Sequence, residues 1–129
     1  MLNMRLVRAL SAASLLAVPT ALPAQNTLPD STTIRAAITT LKSDLRNFVV
    51  AQEAFFADSL TYTRSLRHLG AGFKASAGVT LVVLTASRES HSEIAIIDRV
   101  PGLVCAMFVG DAPRPFGVGE EGQPICRGP

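Results

Sequence analysis

The chain has no tryptophan, one tyrosine, two histidines and two cysteines. These scarcities exclude whole classes of chemistry. His68 and His91 each stand in a polar, turn-like stretch, and neither has a neighbour at ligand spacing. A solvated imidazole is therefore the expectation for both. No H-x-x-x-H, no CxxC and no calcium-loop pattern occurs, so no metal or cofactor site is expected. Ser65, Ser87 and Ser90 lack the G-x-S-x-G setting of a nucleophile elbow. The carboxylates Asp58, Glu89, Glu93, Asp98 and Glu120–Glu121 are scattered, and read as a solvated face rather than an acid–base pair. "GVGEEG" has two close glycines, but two acids beside them make a poor phosphate cradle. The expectation is a protein that is not an enzyme.

What is present begins with the first residues. "MLNMRLVRALSAASLLAVPTALPAQ" carries Arg5 and Arg8, then an apolar run from about Ala9 to Val18, then prolines and small residues. That is the layout of a secretory signal peptide, with cleavage expected after Ala24. The alternative is a retained membrane anchor. A spanning helix needs roughly 20 apolar residues, about twice this run, and Pro19 interrupts it. Residues 1–24 are thus read as a leader and 25–129 as one domain. The expected location is the periplasm or the outside of the cell.

Leader removal also changes the charge. The full chain has 12 Lys+Arg against 10 Asp+Glu, and Arg5 and Arg8 leave with the leader. The remaining domain is neutral. No basic patch argues for a nucleic-acid partner, and no membrane span is expected after cleavage.

Cys105 and Cys126 both lie in the exported part, with 20 residues between them. Two cysteines in an oxidising compartment pair in the ordinary case. Such a bridge contributes on the order of 3 kcal/mol through the unfolded chain.

Past the leader, Asp30 or Ser31 can cap a helix. Ile34, Ile38, Leu41, Leu45, Phe48, Gln52 and Phe55 then recur at alternating spacings of four and three, one face of a helix. No glycine or proline interrupts from Asp30 to Thr63. One helix of about 28 residues, roughly 42 Å long, is expected. Thr63 can cap a second short helix carrying Leu66 and Leu69, ended by Gly70. Three β-rich runs follow, Val79–Ser87, Ser92–Arg99 and Leu103–Gly110, separated by hairpin-length connections. Each run is apolar on both faces, so both sides of the sheet need at least partial cover. The helix is expected to cover one side. The Pro/Gly-rich C-terminal loop, tied back by Cys126, is expected to cover the other. The fold class is α+β: a long N-terminal helix on a three- to four-stranded antiparallel sheet, with a disulfide-closed C-terminal loop. The aromatics Phe48, Phe55, Phe56 and Tyr62 are read as core rather than as a ligand pocket.

"SDLRNFVVAQEAFFADSLTYTRSLRHLG" resembles the second half of the long helix and the following turn of type IV pilins and pseudopilins. The order helix, connector, antiparallel strands and C-terminal cysteine loop is similar too, over about Ser43 to Cys126. The resemblance implies a pilin-head-like fold. The family's Gly-Phe-Thr-Leu-Ile-Glu type processing site has no counterpart here, and a cleavable signal stands in its place. The family's assembly residues therefore do not carry over.

The resulting expectation is an exported, non-enzymatic, pilin-like domain that acts by protein association, with self-association included. The alternative is a small-ligand-binding periplasmic protein using the aromatic end of the helix. A six-residue strand spans about 20 Å, half the helix. Ile34, Ile38 and Leu41 are accordingly expected to stay uncovered by the sheet and to form an association face. On that reading Leu41→Asp weakens association and leaves the domain folded.

Overall fold

In the computed structural model, residues 27–129 are described; the leader reading for 1–24 lies outside the described residues. The helix α1 runs Ser31–Ser59. Asp30 caps it, its carboxylate accepting a hydrogen bond from the Thr33 amide at 2.7 Å. That contact, helped by the Thr32 amide, holds the Asp30 carboxyl below the usual carboxylate range. The helix ends where Leu60 takes a left-handed conformation, φ 58°, and its amide closes on Phe56 O at 2.8 Å. A 3-10 segment, Leu66–Gly72, follows. Thr63 does not cap it in the expected way. The Thr63 hydroxyl accepts from the Ser65 amide and contacts His68 Nδ1, while Ser65 stands at the cap position without a side-chain bond.

Four strands form one sheet in the order β1-β2-β3-β4, all antiparallel: β1 Val79–Ala86, β2 His91–Ile97, β3 Val104–Val109 and β4 Ile125–Arg127. The first three match the β-rich runs to within a few residues at each end. The short fourth strand is where the C-terminal loop returns. Cys126 lies opposite Cys105 in the ladder, and the two are joined by a disulfide. The α+β architecture of helix, antiparallel sheet and disulfide-closed loop is therefore present as expected.

The core lies between α1 and one face of the sheet. Leu41, Leu45 and Phe48 of the helix join Leu81, Val83, Ala95, Ile97, Cys105 and Met107 of the strands. Alternation along each strand places these residues on one side. Two features set the core's extent. A bulge shifts the β1–β2 register between Val83 and Thr85, leaving Leu84 and Thr85 together on the outer side. The β2–β3 connection adds Val100 and Leu103, both essentially inaccessible, to the same core. Arg99 in that connection also donates to the Thr40 hydroxyl, 3.1 Å away, on the first half of α1.

That connection corrects the reading of the helix's first half. The sheet's cover extends beyond its strands, because the turn reaches over α1. Leu41 has no exposed surface, and Ala37 has none either. Ile34 and Ile38 are half-buried against the core cluster. Leu41 is a core residue of the isolated domain and is not free to meet a partner.

Candidate association surface and a buried polar pair

The helix occupies the inner face of the sheet, so the chemistry left to solvent is on the outer face and the edges. The C-terminal loop covers the outer side of β3. Phe108, Ala106, Ala112 and Pro124 are buried there, and the Gly122 amide donates to Phe108 O at 2.9 Å. The Arg114 guanidinium sits 5.3 Å from the Phe108 ring centre, and Arg127 sits 4.8 Å from that of Phe116. Gly110 opens the loop at φ 69°, where a Cβ would collide with the backbone carbonyl of Glu89. Its amide donates to the Glu121 carboxylate at 2.6 Å.

The loop stops short of β1 and the last part of β2, so the expected cover of the second face is only half realised. Val82 is 45 %, Leu84 37 % and Ile96 41 % exposed. Val82 pairs with Ile94, and Ile96 lies between Thr80 and Val104, so these side chains form one continuous outward patch. The patch runs to the edge of β1, which no other strand covers among the described residues. Exposed apolar residues scattered singly are ordinary on protein surfaces; a contiguous set beside an open strand edge is not.

The inner face holds a second feature, and it overturns two readings. His91 and Glu93 are both fully buried, not solvated. They are two residues apart on β2, which puts both side chains on the inner face. His91 Nδ1 lies 2.8 Å from Glu93 Oε2. His91 Nε2 and Glu93 Oε1 have no hydrogen-bond partner among the described residues. The ring of Tyr62 closes over His91 edge-on at 4.6 Å, and Phe48 lies 6.1 Å away. Burial raises the Glu93 carboxyl above the usual carboxylate range, and the His91 contact offsets this only in part. Tyr62 is itself pushed up to about 12, first by burial and then by its hydrogen bond to Glu53 at 2.9 Å.

The signal for this pair was in the alternation. Glu93, Ala95 and Ile97 share one side of β2, and His91 falls on the same side. The polar neighbourhood Arg88–Ser92 conceals it.

Two more polar contacts fasten connections to α1. Gln52 is fully buried and holds Thr63 by both backbone groups, at 2.6 and 3.0 Å. Asp44 accepts from the Ser76 amide and hydroxyl at 2.7 and 2.8 Å. The aromatic end of the helix does form a cleft, lined by Ala51, Ala54, Phe55, Asp58, His68 and Leu69, of about 230 Å³. That is below the ~300 Å³ at which small-molecule pockets begin. Phe55 and His68 stack on each other, 6.0 Å between ring centres. Among the described residues no three metal-ligating side chains gather, and no helix is long and apolar enough to cross a membrane. Compared with known proteins, the chain matches no family model, and no curated protein matches it.

Proposed function

We propose that this is an exported, non-enzymatic domain, pilin-head-like in build, that works by protein association. One observation carries the reading: the half-bare outer face of the sheet, with Val82, Leu84 and Ile96 exposed beside the edge of β1. The signal-like first 24 residues and the Cys105–Cys126 disulfide support export, since a disulfide persists in an oxidising compartment. The association surface is the outer sheet face, not the helix stripe of Ile34, Ile38 and Leu41.

The test places a photo-crosslinking residue at Val82 or Ile96 in the full chain, expressed in its own cell. A control position is Arg46, exposed on the helix. The expected result is a mature N-terminus at Gln25 by mass spectrometry, and protein adducts from the two sheet positions only. Equal adducts from Arg46, or none from any position, overturn the association reading. A chain that retains its first 24 residues and stays inside the cell overturns export.

A further inference from the structure

We infer that the partner at this face is a second copy of the chain, joined by antiparallel pairing of the two β1 edges about a twofold axis. The inference rests on the association reading above and names its partner.

The sheet has two edges. β4 is three residues long and is pinned to β3 by the disulfide. β1 is eight residues long, about 27 Å at 3.4 Å per residue. Edges exposed in this way are ordinarily blunted by lysine, proline or inward charge. Val79–Ala86, "VTLVVLTA", has none of these. Among the described residues its guards lie at the ends: the bulge at Leu84, the Tyr62 amide on Ser87 O just past the strand, and the Val79 amide turned back to Ser76 O.

The strand is also its own complement. In an antiparallel pair, residues directly opposite share a face. Centred on Val82, a twofold pairing sets Val82 against Val82 and Thr80 against Leu84 on the outside. On the inside it sets Leu81 against Val83. Apolar residues thus meet apolar or threonine partners on both faces. Because β1 carries no charge, no like charges are brought together, and a neutral strand has nothing to repel its own copy. The twofold sets the two bare outer faces side by side, so the exposed patch of each copy continues into the other. An isologous contact of this kind closes at two subunits. No feature of β1 selects a charged or phosphorylated partner instead.

The register is tested with single cysteines on the exported, disulfide-intact protein. In a Val82→Cys chain the two added thiols face each other across the axis. In Thr80→Cys they are about 14 Å apart along the seam, four residues of strand. Under mild oxidation Val82→Cys is expected to form covalent dimer at least about tenfold faster than Thr80→Cys, the advantage of reaction within a complex. A mixture of Thr80→Cys with Leu84→Cys is expected to cross-link as heterodimer. Equal rates for Val82→Cys and Thr80→Cys overturn the pairing. A Val82→Lys chain, which guards the edge, keeps the fold by circular dichroism and is expected to lose the dimer; a Val82→Lys dimer as strong as the wild type overturns it too. Photo-adducts from Val82 with a different protein, and none with a second copy, would overturn the homotypic partner while leaving the association reading standing.

Discussion

Replacing Glu93 by glutamine should change how stability depends on pH more than it changes stability itself. Glu93 is fully buried, one of its oxygens has no partner among the described residues, and its carboxyl is raised above the ordinary 4.5 by burial. A raised folded-state value means that the native chain holds a proton the unfolded chain releases. The contribution to stability is therefore complete below about pH 4.5 and is lost as pH rises through the higher native value. One proton sets the steepest slope, about 1.4 kcal/mol per pH unit. For a domain near 100 residues that is roughly 5–10 °C of melting temperature per pH unit.

The side chains set against the pair from the neighbouring elements are apolar or aromatic. β1 contributes Val83 and Ala86 opposite the pair, and β3 contributes Met107 and Val109. From α1 comes Phe48, and from the turn comes Tyr62, which ionises only at about 12. The nearby carboxylates Glu53 and Glu121 are exposed, bonded to Tyr62 and to the Gly110 amide respectively. Glutamine keeps the shape, cannot ionise, and can donate its amide to His91 Nδ1. The assay is thermal or urea unfolding of both chains from pH 4.5 to 8.5, read as the difference curve. The two chains differ at position 93 alone, so groups remote from the pair are common to both curves. The expected result is a wild type that loses stability relative to Glu93→Gln as pH rises. A flat difference curve, or one of opposite sign, would refute the argument.

Three further outcomes are expected. Gln52→Ala removes both hydrogen bonds to Thr63 and should cost about 2–3 kcal/mol in urea unfolding. Cys126→Ser frees β4 and should cost about 3 kcal/mol in urea unfolding. Leu41→Asp places a charge in the core and should leave no cooperative unfolding transition at all.

Much of the fold is legible in the sequence. Asp30 marks the start of the helix, the four-and-three spacing through Phe48 marks its buried face, and the change to β-rich runs after Gly78 marks the sheet. The failures share a cause, which is that cover is a tertiary property. Leu41 looked surplus to a sheet of short strands, because nothing in "RVPGL" announces that Val100 and Leu103 extend the core past the strand ends. The outer face looked covered, because Val82, Ile96 and Phe108 are equally apolar in sequence. Only the path of the loop from Gly110 to Pro124 separates the buried Phe108 from the bare Val82. The His91–Glu93 pair was hidden by composition. Its side chains lie on the inner face by strand alternation, yet the surrounding serines and arginine read as a solvated turn.

The edge of β1, uncovered among the described residues, and the bare face beside it are the proposed dimer seam. Sedimentation velocity of the exported domain, from low to high micromolar and beside Val82→Lys, tests it most directly. The wild type is expected to shift from monomer to dimer with concentration, and the Val82→Lys chain to stay monomeric and folded. A wild type that remains monomeric at the highest concentration would contradict it.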